Sequence, residues 1–141
     1  TGLVSCLSAG WQYICRTVPD VGPSLAPVEN ALRTKFLPAV LGIDGPIDDT
    51  YRTLLGNGVK TGGLAIRDPT LAAAPLYSTS VEATGMLAGT LIRNKPISVK
   101  AHRNCVHTAG AKHRKTRHDG EVAFHTALME RSPLKVKKWV E

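Results

Sequence analysis

The sequence predicts an all-α fold: a small, irregular bundle of about five or six helices joined by Gly/Pro-rich connections. Three observations carry this reading. Apolar residues recur at three- and four-residue spacing through most of the chain, the period of a helix with one buried face. Glycine and proline, 13 and 9 in number, cluster between those stripes as breaks. No stretch assembles a sheet, and no internal repeat is present. The 141 residues, 43% apolar and 21% charged, suit one globular domain or a piece of a larger one and exclude wholesale disorder. Every long uncharged stretch is interrupted by Gly, Pro, Ser or Thr, short of the roughly 18 apolar residues of a membrane helix.

In chain order, Leu3, Leu7, Trp11, and Ile14 or Cys15 form the first helical stripe, and the segment Val18-Pro19-Asp20-Val21-Gly22-Pro23 ends it. Ser24 is read as the next N-cap, with Pro27 and Glu29 in the first turn. Leu25, Val28, Leu32, Phe36 and Val40 follow, widened by Leu37 and Leu41. Pro38 should kink that helix or open its last turn, and Gly42 is a natural stop. A short helix follows, capped by Asp48 or Asp49, with Tyr51, Leu54 and Leu55 as its apolar side and Gly56 at its end. Asp68-Pro69 is a helix-start pair, although Pro75 suggests that the regular helix begins only near that residue and runs to about Ile92. Past Lys95-Pro96 another helix starts at Ile97. Gly110 and then Asp119-Gly120 are read as interruptions, leaving a last short helix through Val122, Phe124, Leu128 and Met129.

Charge divides the chain into two parts. Residues 1–94 hold seven basic and seven acidic groups; residues 95–141 hold eleven basic and four acidic, together with all five histidines. The net charge of +7 therefore sits wholly in the last third, and an anionic partner is expected there. Lys112, Arg114, Lys115 and Arg117 are the first candidates for phosphate contact, and Lys135, Lys137 and Lys138 the second, with Trp139 able to stack on a base or pack on the domain. A solvated helical face that binds nothing is the plain alternative. Three cysteines, Cys6, Cys15 and Cys105, are too few for a disulfide framework and suit a reducing, intracellular compartment. Cys6 and Cys15 are expected to be small core residues.

Reaction chemistry is sparse. Asp48-Asp49 is the one adjacent carboxylate pair, but Pro46 precedes it and a helix pattern follows, so capping is the expected role. His102-x-x-Cys105-x-His107 and His113-x-x-x-x-His118 contain ligand atoms without the paired short spacings of a zinc site. The segment Gly62-Gly63-Leu64-Ala65-Ile66-Arg67-Asp68-Pro69 could cradle a phosphate beside a helix start, but it reads first as a folded turn feeding a capped helix. No cofactor, metal site or catalytic residue is expected.

The same segment resembles one found in non-LTR retrotransposon-type reverse transcriptases, where a similar Gly-Gly-Leu-Gly-Ile-Arg-Asp lies in or just after the thumb. Gly62, Gly63, Leu64, Ile66, Arg67 and Asp68 match, and Ala65 replaces the usual glycine. Trp11-x-Tyr13-x-x-Arg16-Thr17-x-Pro19-Asp20 and Glu29-Asn30-Ala31-x-Arg33-x-Lys35-Phe36-Leu37-Pro38-Ala39 resemble neighbouring pieces in the same order, so the similarity runs from about Trp11 to Ile92. That family's metal-binding aspartates lie in the palm, whose Phe/Tyr-x-Asp-Asp turn has no counterpart in Pro46-Ile47-Asp48-Asp49. The resemblance therefore implies a thumb-like core (1–94) followed by a basic helical tail (95–141), a fragment with the palm absent and no catalysis of its own. A chain that starts at Thr1 fits a processed or truncated product, or an incomplete reading frame. The expected function is nonspecific contact with DNA or RNA. The alternative is a structural domain whose small-residue helix near 71–92 docks a protein partner or the missing palm. No membrane role is expected.

Overall fold

A computed structural model describes residues 8–131 and is all-α; no strand occurs among the described residues. Helix α1 spans Ser8–Thr17, and its buried Cys15 takes the expected core position. Leu3 and Cys6, like Lys135, Lys137, Lys138 and Trp139, lie outside the described residues. A 3-10 turn over Gly22–Leu25 leads into α2 (Ala26–Ala31), which starts with Pro27 in its first turn. The cap expected of Ser24 does not form: Leu25 occupies the N-cap position, and no side chain bonds the free amides there.

Segment α2 continues without a break through a π-helical turn, Leu32–Phe36, into α3 (Leu37–Leu41). Proline explains the turn. Pro38 has no N–H to give the helix, and the ladder just before it widens so that Leu37 N–H donates to the Leu32 carbonyl five residues back. The extra residue rotates everything beyond it by about 100°. Leu32 and Leu37 therefore stack on one face and are both buried, whereas Val40 and Leu41, counted on the apolar stripe by ordinary helical spacing, are exposed. The widened ladder also releases the Arg33 carbonyl, which accepts a 3.2 Å bond from Ile47 N–H and draws the 43–48 loop against the core. Gly42 ends α3 in the left-handed conformation.

Helix α4 (Asp49–Gly56) is capped by Asp48, whose Oδ1 accepts a 2.9 Å bond from Tyr51 N–H. Its buried face differs from the expected one. Tyr51 points to solvent, and Arg52 is buried beside Leu55. A buried charge persists only when paired and hydrogen-bonded, and this one is both. Arg52 Nε and Nη2 each donate to the Glu29 carboxylate at 2.7 Å, and Nη1 donates to the Ile66 carbonyl at 2.6 Å.

Helix α5 (Pro69–Ile92) begins at Pro69 and passes through Pro75 unbroken. Asp68 Oδ1 accepts from the Thr70 and Leu71 amides at 2.8 and 3.4 Å, which fixes the start six residues earlier than Pro75 suggested. Pro75 and Leu71 are both exposed, so the bond that Pro75 cannot make is lost where it costs least. Helix α6 runs from Val99 to Arg131 in one piece. Neither Gly110 nor Asp119-Gly120 interrupts it. A glycine costs a helix interior only about 1 kcal/mol, and packing along α5, with Ala109 fully covered there, outweighs that.

Two apolar clusters hold the bundle. Leu32, Leu37, Ile47, Leu55 and Ile66 form one; Cys15, Leu25, Ala73 and Leu76 form the other. Val28 packs against both and joins them. Helices α1 and α6 each lie on α5, which is the central rod. None of these helices is long and apolar enough to cross a membrane, among the described residues.

Candidate functional site

The segment from Gly62 to Asp68 is a closed turn. Gly62, Gly63, Leu64, Ala65 and Ile66 each spend their N–H on a carbonyl of the 54–59 stretch, at 2.8–3.2 Å. None of these five amides is left for a phosphate, and Asp68 takes the Thr70 and Leu71 amides at the helix start, which supports the folded-turn reading. Gly62 has φ 79° and Ala65 has φ 58°. A left-handed backbone strains an alanine and suits a glycine. The strained position is the one where the resembled reverse-transcriptase segment carries glycine.

The four basic candidates of α6 do not share one surface. Successive residues turn about 100° around a helix, so a run in sequence disperses in space. Arg114 and Lys115 are exposed; Lys112 is exposed but paired with Glu82 at 3.2 Å; Arg117 turns inward beside Glu121, its Nε 3.2 Å from Oε1. A different basic face emerges. Lys100, Arg103, His107, Arg114 and His118 follow one another at intervals of three, four, seven and four residues, and all are exposed. Lys115 flanks this stripe. From Val99 to His118 the helix holds six Lys or Arg, four His and no Asp or Glu. Lys100 and Arg103 were not among the expected contacts. The signal for them was available in the 3.6-residue period of the basic positions, which a search for consecutive charges passes over.

Arg67 and Arg117 meet across a cavity of about 530 Å³ between α4, the start of α5 and the middle of α6. Leu71, Ala72, Pro75 and Leu76 form its apolar wall, and Thr116 and His113 complete the side formed by α6. Most charged groups around it are already committed. Arg33 bonds Asp49, Arg52 bonds Glu29, Asp68 caps α5, and Glu121 serves Arg117 and the Gly58 amide. Arg67 has no carboxylate partner among the described residues. Its Nε is buried without a hydrogen-bond acceptor among them, whereas Arg117 Nε has Glu121 Oε1 at 3.2 Å. Burial lowers the Arg67 pKa from its ordinary value, and the Arg117 charge lowers it further, with Glu121 opposing.

His113 sits in the same field. Burial pushes its pKa down, as do Arg117, Arg67 and Arg114 and, from α1, Arg16. The folded protein therefore refuses a proton that the unfolded chain accepts. Above pH 6.5 both states are neutral at this residue; as pH falls through 6.5 toward the lower folded pKa, stability is lost, and below that pKa the loss stops growing. The urea midpoint is expected to drop between about pH 7.5 and 5.5, with a smaller drop in His113→Gln. Equal slopes in the two proteins would show that another group is responsible.

The remaining motifs fall apart as ligand sets. His107 is exposed on the outer stripe, whereas His102 and Cys105 are half-buried on the other side of α6. Among the described residues no group of three or more His, Cys, Asp or Glu side chains converges as a metal site. No family model, curated protein or solved structure matches the chain, and nothing in those comparisons links it to reverse transcriptases.

Proposed function

We propose that the chain is a non-catalytic helical module that contacts nucleic acid through the outer face of α6, without sequence preference. The observation that carries this reading is the exposed, acid-free stripe of Lys100, Arg103, Arg114 and Lys115, extended by His107 and His118. Cations spaced along a rigid rod, with no carboxylate among them, attract a phosphate backbone and release its counterions. Nothing on that face reads a base, so affinity without specificity follows. The thumb-like resemblance of residues 11–92, with left-handed Ala65 at its glycine position, fits a module that grips a nucleic-acid backbone beside a palm supplied elsewhere.

The test is fluorescence anisotropy with labelled single-stranded and duplex oligonucleotides across a salt series. Four phosphate contacts predict a log–log slope of about −3 to −3.5. The variant with Lys100, Arg103, Arg114 and Lys115 all changed to Gln should lose most of the affinity and of the slope, and a Lys135/Lys137/Lys138 to Gln variant measures what the tail adds. Salt-independent binding, or equal binding by the α6 variant, would overturn the proposal.

A second reading has an observation of its own. Leu91, Ile92, Ile97 and Val99 leave the turn between α5 and α6 apolar and exposed, with Ile92 84% accessible. A structural domain that docks a partner there would show no salt-dependent affinity for nucleic acid, so the same titration separates the two.

A further inference from the structure

We propose that the cavity between α4, α5 and α6 binds a small organic phosphate, a phosphomonoester on an apolar or aromatic body. Two guanidinium groups from distant parts of the sequence, Arg67 and Arg117, line it; among the described residues the buried Arg67 Nε–H has no acceptor, whereas Arg117 Nε lies 3.2 Å from Glu121 Oε1. A buried donor without an acceptor is costly, and a charged one more so. An oxyanion supplies the acceptor that Arg67 lacks, with the Arg117 guanidinium lining the same cavity. Thr116 and His113 add a hydroxyl and an imidazole on the same side. Two guanidinium forks with two further polar groups exceed what the two oxygens of a carboxylate accept, and they suit the three terminal oxygens of a phosphate. Leu71, Ala72, Pro75 and Leu76 supply an apolar wall of the same cavity, and a volume of about 530 Å³ leaves room for a ring system beyond the phosphate. Three carboxylates also line the cavity: Asp49 is held by Arg33, Asp68 caps α5, and Glu121 is held by Arg117 and by the Gly58 amide. Glu121 sets the orientation of Arg117 and leaves Arg67 without a direct ion pair among the described residues.

This site is separate from the outer face of α6, and the two proposals fail independently. Isothermal titration calorimetry with phenyl phosphate, inorganic phosphate and benzoate tests the pocket. Phenyl phosphate is expected to saturate one site and to bind about tenfold or more tightly than inorganic phosphate, which lacks the apolar body, and than benzoate, which lacks the third oxygen. Arg67→Gln and Arg117→Gln should each weaken it by about tenfold or more, with Arg67→Lys in between. Circular dichroism and urea midpoints establish that each variant is folded. Where one arginine variant is not, the other variant and Thr116→Val carry the test. The variant with Lys100, Arg103, Arg114 and Lys115 changed to Gln should bind phenyl phosphate as the parent does. The proposal is overturned by an absence of saturable binding at low millimolar phenyl phosphate, by unchanged affinity in the folded arginine variants, or by loss of binding in the outer-face variant. Benzoate bound as tightly as phenyl phosphate would overturn the phosphate assignment.

Discussion

Arg52→Met is expected to cost about 3–5 kcal/mol of folding stability, enough to unfold a marginal domain of this size. Arg52 is 2% exposed and holds three parts of the chain together: α2 through Glu29, α4 on which it sits, and the Gly62–Asp68 turn through the Ile66 carbonyl. Removing it takes both short hydrogen bonds from the Glu29 carboxylate, which is only 9% accessible and keeps just the 3.6 Å ion pair with Arg33, and leaves the Ile66 carbonyl without its donor. The cost is therefore that of a buried charge left with one long ion pair and no short hydrogen bond from Arg52, larger than the net worth of the pair. Arg52→Lys should rescue little, because an ammonium cannot span both carboxylate oxygens and the carbonyl. The double variant Arg52→Met/Glu29→Leu should recover a large part of the loss, since no charge is then left unpaired. Urea denaturation of the two single variants and the double variant forms a cycle. Additive losses in the double variant would mean that the pair is not coupled as the geometry requires.

What the sequence revealed follows from how local the cause is. The start of α5 was legible because Asp68 and Pro69 act within one turn, and the same holds for Asp48 at α4. The continuity of α6 was not legible because Gly110 and Asp119-Gly120 are weak local breakers, overruled by packing against α5, a separate stretch of the chain. The π-helical turn shifted the core register after Leu32, so Leu37 is buried and Val40 is not. Pro38 signalled a disturbance, but not the direction in which the ladder would absorb it. Arg52 was invisible as a core residue because charge argues for exposure, and its partner Glu29 lies 23 residues away. The pocket was hidden for the same reason: Arg67 and Arg117 meet only once α6 has folded back along α5. The basic character of the last third was plain in the composition, while the face that presents it needed the continuous helix.

Gly63→Ala should be comparably damaging through sterics. A Cβ at this residue would lie 2.2 Å from the Asn57 carbonyl oxygen and 2.4 Å from that of Leu54. Both atoms are backbone, at the C-terminal end of α4, so neither can swing aside as a flexible side chain would. Relief requires the turn to lift away from α4. That movement breaks the bonds from the Leu64 and Ile66 amides to the Leu55 carbonyl and from Ala65 to Asn57, and it pulls the Ile66 carbonyl off Arg52. Several backbone hydrogen bonds at about 1 kcal/mol each, with partial exposure of Ile66, put the loss at about 3 kcal/mol or more. Two companions separate this cause from a general sensitivity of glycine and alanine sites. Ala65→Gly, two residues on, should stabilise by about 0.5–1 kcal/mol, because it relieves a left-handed alanine at φ 58° at some cost in unfolded-state entropy. Gly85→Ala, in the middle of α5 with no atom within 4 Å of the added methyl, should stabilise by a similar amount through helix propensity. Urea midpoints of the three variants read the signs directly. A neutral Gly63→Ala would mean that the turn does not press on α4, and with it would go the rigid frame that holds Arg67 at the pocket.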